Sequence, residues 1–172
     1  RLSWRYYRDA TVQREALFSH NFDFLRENTA KSWAKAYDIP AVESGDLVRA
    51  EIAHEQPTGM QTFAFNTRKP IFDDRKVRRA LAHAFDFERL NEKLAAGAYT
   101  RTESYFSNSE MAATGRPEGR ELEILERFED QLPPALFERP YRAPSTAGET
   151  TIRDNLVKAK KMLNEAGWRV DS

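Results

Sequence analysis

Cysteine is missing from all 172 residues. That single absence removes a disulfide framework, a thiolate metal site and a Cys nucleophile together. It is compatible with the cytoplasm and equally with a bacterial periplasm. No run of about 18 apolar residues occurs, so no segment reads as a membrane span. Charge of one sign is not in excess either, since 27 Lys and Arg balance 27 Asp and Glu. A balanced surface gives no electrostatic case for nucleic acid, whose binders carry a basic stripe. Neither a G-x-S-x-G elbow nor a phosphate-cradling Gly-rich loop is found, which weakens hydrolase and nucleotide-binding readings.

Ligand-type residues are thinly spread. His20, His54 and His83 are far apart and lack H-E-x-x-H spacing, so structural or solvated roles are expected and no metal or cofactor is. The carboxylate pairs Asp73/Asp74, Glu121/Glu123 and Glu129/Asp130 are sequence neighbours. Catalytic pairs must instead flank a substrate across about 5–9.5 Å.

What is present is a hydrophobic fraction of 40%, enough for a domain with a core. Leu2, Trp4 and Tyr6 alternate with Ser3, Arg5 and Tyr7 as in a strand. Asp9 offers an N-cap to a helix from about Ala10 to Ser19. Phe22–Arg26, Leu47–Ile52 and Met60–Asn66 read as three further strands. Between them Thr29 caps a helix that Pro40 ends.

The clearest helix follows Asp73 or Asp74, with Val77, Ala80, Leu81, Ala84 and Phe85 at helical spacing. Asp86 restarts a helix from Phe87 to Ala96, stopped by Gly97. Residues 98–150 are interrupted by Pro117, Pro133, Pro134, Pro140 and Pro144, with one short helix expected from Arg120 to Arg127. Their aromatics point to a long loop wrapped onto a body, because disordered linkers are poor in such residues. A last helix, capped by Thr150 or Asp154, runs to Gly167.

This order predicts an α/β (α+β) fold, a mixed β-sheet with packed helices and a long Pro-rich loop region. Residues 1–97 form its sheet-and-helix core, 98–150 the loop-rich segment, and 151–172 a helix and a cut end. A start inside a strand without Met, and an end at Val170-Asp171-Ser172, suggest a piece of a longer protein.

Two motifs then carry a resemblance. Phe65-Asn66-Thr67, Lys69-Pro70, Phe72-Asp73-Asp74, Val77-Arg78-Arg79-Ala80-Leu81 and Ala84-Phe85-Asp86 resemble the central signature of the family 5 extracellular solute-binding proteins. Ala159-x-x-Met162-Leu163-x-Glu165-Ala166-Gly167-Trp168 is similar to that family's second shared element, with Met162 where Leu is commoner. Tyr6-Tyr7-Arg8-Asp9-Ala10-Thr11, Ser104–Glu110 and Gly119–Leu125 resemble its oligopeptide branch associated with microcin C-type importers.

The resemblance implies part of one lobe of a two-lobed periplasmic binding protein, without enzymatic activity. Such a receptor delivers peptides, oligopeptides in particular, to the permease subunits of an ABC importer. Much of the shared motif has a scaffold reading: an acidic N-cap at a helix dipole, and a Pro that fixes a sharp turn.

For ligand contact the candidates are Tyr105, Phe106, Ser107 and Asn108, where aromatic walls adjoin hydroxyls and amides able to bond a peptide backbone. An Ω-loop anchored by the same aromatics is the alternative. Asn66, at a strand exit, is either a pocket group or a turn former. Two other functions stay open from the residues: a hydrolase or transferase subdomain using surface carboxylates, and a non-catalytic domain that docks a permease.

Overall fold

The computed structural model describes residues 1–169. Val170, Asp171 and Ser172, read above as a cut end, lie outside the described residues.

The expected mixed sheet does not form. Among the described residues the regular structure is nine α-helices and one 3-10 segment, with no strand. The four segments read as strands, from Leu2, Phe22, Leu47 and Met60, are all irregular. A strand differs from a helix in that its hydrogen bonds go to another segment about 4.8 Å away. Alternation therefore marks a segment able to pair, while pairing itself depends on a partner. Leu2, Trp4, Val48, Ile52 and Phe63 are each at least 77% exposed, so their apolar faces have no cover in this chain.

The chain divides into two compact units. The first comprises Arg1–Ile52 with Glu92–Tyr99. Its first helix, α1 (Ala10–Phe18), begins where Asp9 Oδ1 accepts the amide hydrogens of Thr11 at 2.8 Å and Val12 at 3.0 Å. Those amides hold the Asp9 carboxyl below its ordinary range. Two short helices follow, α2 (Ala30–Lys35) and α3 (Pro40–Glu43). Pro40 opens α3 at its first turn, where a missing N–H costs nothing, and so starts a helix instead of only ending one.

The core of this unit is Leu17 and Tyr37, both buried, with Phe18 edge-on to the Tyr37 ring. Tyr37 Oη donates to Glu27 Oε2 at 3.1 Å, and Arg14 lies 3.6 Å from the same oxygen. Burial, then the Glu27 charge, pushes the Tyr37 hydroxyl up to about 12. In the Leu47–Ile52 segment the polar side chains face α2. Arg49 stacks 4.4 Å over Trp33 and donates to its carbonyl, while Trp33 Nε1 donates to Glu51.

The second unit comprises Ala53–Asn91 with Thr100–Ser172. It opens with α4 (Pro70–Asp73), a single turn, and α5 (Arg75–Ala84), which Asp74 caps by accepting from the Lys76 amide. Asp74 thus fills the role left between two acids in the sequence. Helix α6 (Phe87–Ala95) restarts after Asp86; its residues from Glu92 on, and Gly97 with a left-handed φ of 79°, belong to the first unit.

The Pro-rich stretch contains α7 (Gly119–Leu125), a 3-10 segment (Glu126–Gln131) and α8 (Ala135–Glu138). Last comes α9 (Ile152–Glu165), whose cap is Thr151 and not the neighbouring Thr150. Thr151 Oγ1 accepts from the Asp154 amide while Asp154 Oδ2 accepts from the Thr151 amide, a reciprocal capping box.

Helices α5 and α9 pack together and hold the unit's core. Val77 and Ala80 are buried on α5, Ala159 on α9. Small residues at the contact let two helix backbones approach closely, which suits the lower end of the usual 8–10 Å range between axes. One polar side chain is buried among them. Asn155 Oδ1 faces His83 Nδ1 at 3.3 Å and its Nδ2 donates to Ser145 O at 3.2 Å, so both ends are satisfied. His83 therefore has a structural role.

Candidate functional site

The Ser104–Ser109 loop is built by hydrogen bonds within itself and to one distant segment. Ser104 Oγ accepts from the amides of Phe106 and Ala113, and its carbonyl accepts from Ser107 Oγ at 2.8 Å. Asn108 takes a positive φ of 63°, a backbone state that Asn tolerates better than most residues. Its Nδ2 then donates to the carbonyls of His54 at 2.8 Å and Gln56 at 2.9 Å. Thr58 completes the tie, its amide and hydroxyl both donating to Ser107 O. The loop is thereby fastened across about fifty residues of sequence, 52 in the case of Asn108 and Gln56.

Beside this loop lies an open hollow of about 290 Å3. Ser104, Ser107 and Asn108 line it together with Arg101, Glu103 and Arg142. Each Glu103 oxygen accepts one bond: Oε2 from Arg142 Nη1 at 2.9 Å and Oε1 from the Ala143 amide at 2.8 Å. Arg101 is different. Its guanidinium carbon stands 5.0 Å from the Phe85 ring centre and 5.4 Å from that of Phe87, and its Nη1 is buried with no hydrogen-bond partner among the described residues.

The segment around Ser145 is clamped to Asp86 and to Glu88 at the start of α6. Ser145 Oγ donates to Glu88 Oε1 through a short hydrogen bond, and Thr146 Oγ1 lies 3.0 Å from both Glu88 Oε2 and Asp86 Oδ1. Burial pushes the Glu88 carboxyl up, but the bonds from Ser145, its own backbone and Thr146 outweigh it and leave the value at about 2.

The five candidate residues separate by position. Ser107 and Asn108 line the hollow, and both are committed to holding the loop. Tyr105 and Phe106 do not line it; they are 83% and 48% exposed. Asn66 stands apart, its Oδ1 accepting from the Arg68 amide at 3.1 Å and its carbonyl from the Lys69 amide at 3.0 Å. That is an Asx turn, the simpler of its two readings.

Arg101, Glu103 and Arg142 carry no local signal of their own. Only the fold brings Arg142 to Glu103, 39 residues away.

Among the described residues no group of three or more His, Asp or Glu side chains is placed to hold a metal ion. No described helix is long and apolar enough to cross a membrane.

The family of bacterial extracellular solute-binding proteins, family 5, middle region, matches residues 1–172. The chain belongs to this family. It is 40% identical over 171 residues to the probable peptide-binding protein YejA of Agrobacterium fabrum, covering 98% of this chain and 28% of that protein. Identity is also 40% over 167 residues to the YejA protein of Escherichia coli, covering 97% of this chain and 28% of its relative. The peptidoglycan-binding protein YepA of Agrobacterium fabrum is 36% identical over 177 residues, or 98% of this chain and 29% of YepA. The chain thus spans about 28% of the length of the curated relatives it matches.

Proposed function

We propose that this chain is a section of an extracytoplasmic, periplasmic receptor that binds peptides and delivers them to the permease of an ABC importer. The observation carrying this reading is the family match along the whole chain, joined to a relative of 40% identity that bears a peptide-binding name. The chemistry around the Ser104–Ser109 loop agrees with it. Hydroxyls, an amide and charged groups surround an open hollow, with exposed Tyr105 and Phe106 on the adjoining surface.

An open hollow of about 290 Å3 lies at the small end of ligand pockets, so a second wall is required to desolvate an extended peptide. In a two-lobed receptor that wall comes from the rest of the polypeptide. Recognition of the peptide backbone, more than its side chains, lets one receptor accept many sequences. The family is one of binding proteins, and the chain's role in this reading is capture without bond breaking.

Native mass spectrometry of the full-length protein, purified from its host without refolding, tests the proposal. A mixture of short peptides released on denaturation is the expected result. Release of a metal chelate or a sugar with no peptide would overturn it. Peptides bearing amino sugars or D-residues would instead direct the reading toward peptidoglycan fragments, in keeping with the name of YepA.

A further inference from the structure

We propose that Ala143–Thr146 is a coupling strap, a conformational device that sets the position of the Ser104–Ser109 loop from the buried polar contact between α5 and α9. The strap belongs to the mechanics of this chain and stands whichever solute the receptor takes.

Residues 141–146 have no regular secondary structure, yet Ala143, Pro144, Ser145 and Thr146 are all half-buried. Irregular backbone has no hydrogen-bond ladder of its own, so its place is fixed by bonds to its neighbours. Here those bonds come from three directions. Asn155 of α9 donates from Nδ2 to Ser145 O at 3.2 Å, while its Oδ1 faces His83 of α5 at 3.3 Å. Ser145 Oγ donates to Glu88 Oε1, and Thr146 Oγ1 lies 3.0 Å from Glu88 Oε2. At the other end the Ala143 amide donates to Glu103 Oε1 at 2.8 Å.

Pro144 stands between the two sets of anchors. Its ring fixes its own φ and keeps Ala143 extended. Two residues of chain span at most about 7 Å. A displacement of Ser145 therefore reaches Ala143 with little of it absorbed on the way. Glu103 receives it next, and Glu103 directly precedes Ser104. Ser104 in turn organises the loop: its Oγ accepts from the Phe106 and Ala113 amides, and its carbonyl accepts from Ser107 Oγ.

Asn155 is the decisive position, a polar side chain only 3% exposed. To join α5 to α9, its contact with His83 would be enough. The second bond leaves both helices and fastens the strap to them. Breaking it strands a buried donor, so the strap and the helix pair keep their register together. Coupling of this kind is reciprocal, and whatever steadies the loop also steadies α9 where the strap is tied.

Contiguous contacts become coupling only when a change at one end is read at the other. Hydrogen exchange by mass spectrometry on the full-length protein provides that reading. Asn155→Leu removes the donor to Ser145 O and replaces it with a side chain of similar size. Exchange across Phe106–Ala113 is expected to quicken by about fivefold, the scale of one hydrogen bond, although the substitution lies in another segment. Pro144→Gly leaves every one of these donors and acceptors in place and takes away the stiffness. In that background Asn155→Leu should still quicken α9 but should change the loop by less than about twofold, the non-additivity of linked positions. Helix α1, in the other unit, is the control and should not change.

Loop exchange that stays unchanged in Asn155→Leu overturns the proposal. So does a loop response of equal size with and without Pro144→Gly, since the path would then bypass the strap. Equal quickening in α1 also sinks it, as the mark of general loosening. Should Asn155→Leu fail to fold, Glu88→Gln weakens the strap's anchor at Ser145 without touching α9 and takes its place. A loop that quickens with Glu88→Gln alone, and not when Pro144→Gly is present, upholds the strap; any other result defeats it.

Discussion

At Glu88 a single carboxylate gathers two hydroxyls that the chain supplies 57 and 58 residues later. The ligands are charge-assisted and their geometry is closed, so the carboxyl is held down at about 2 against an ordinary 4.5. A depressed folded-state value has a definite sign. The clamp's contribution is fully present above pH 4.5 and is lost as pH falls through about 2. Glu88→Gln removes the charge while keeping the shape. It is expected to cost about 1 kcal/mol at neutral pH and to flatten this part of the acid response. Comparing urea midpoints of the native and variant proteins between pH 7 and pH 3 checks it. A variant whose stability runs parallel to the native protein over that range would show that Glu88 does not couple to folding.

Asn108 shows how far one residue could be read in advance. Its place in a polar, aromatic loop was visible, and Asn is among the few residues suited to a positive φ. That its amide would fasten the loop to the carbonyls of His54 and Gln56 was not visible, because those acceptors belong to a backbone 52 and 54 residues earlier. Arg101 lay deeper still. Its partners, Phe85 and Phe87, are core-spaced aromatics in any sequence reading, and nothing local marks the arginine that stands beside both rings.

At the scale of elements, the helices of six residues or more were legible; the one-turn helices α3, α4 and α8 and the absence of a sheet among the described residues were not. Asp9, Asp74 and Gly97 set their boundaries through bonds or backbone angles within a few residues, so a linear reading reaches them. The α9 cap slipped by one position for an instructive reason. Thr150, Thr151 and Asp154 all suit a helix start, but only Thr151 stands three residues before Asp154, the spacing a capping box needs. Thr151→Ala removes the hydroxyl that accepts from the Asp154 amide and takes one acceptor from α9's first turn. It should destabilise the protein by about 1 kcal/mol, the usual loss for a cap. Since α9 packs on α5, hydrogen exchange is expected to quicken in both helices and not in α1. Loss of protection confined to residues 151–154 would show that the first turn frays independently of the helix pair.

For the whole chain the accessible surface decides. It amounts to 14800 Å2 for 19.9 kDa. A self-sufficient folded monomer of that mass exposes about 8,700 Å2 by the usual scaling. Among the exposed side chains that contribute to it are Leu2, Trp4, Tyr6, Val48, Ile52 and Phe63, which carry the alternation read as strands. These side chains form no sheet among the described residues, and the chain spans about 28% of the length of its relatives. Small cores around Tyr37 and around Val77, Ala80 and Ala159 fall well short of what 172 residues ordinarily bury. The 172-residue polypeptide produced by itself should therefore bind a hydrophobic dye strongly and unfold in urea with a shallow slope, below that of a cooperative domain of its length. Its far-ultraviolet circular dichroism should be helical. In the full-length protein the same residues should lose the dye and unfold steeply, with Trp4 fluorescence moving to shorter wavelength as its ring is covered. A sharp, dye-free transition in the isolated polypeptide would mean that its exposed apolar side chains do not loosen its packing, and the prediction would fail.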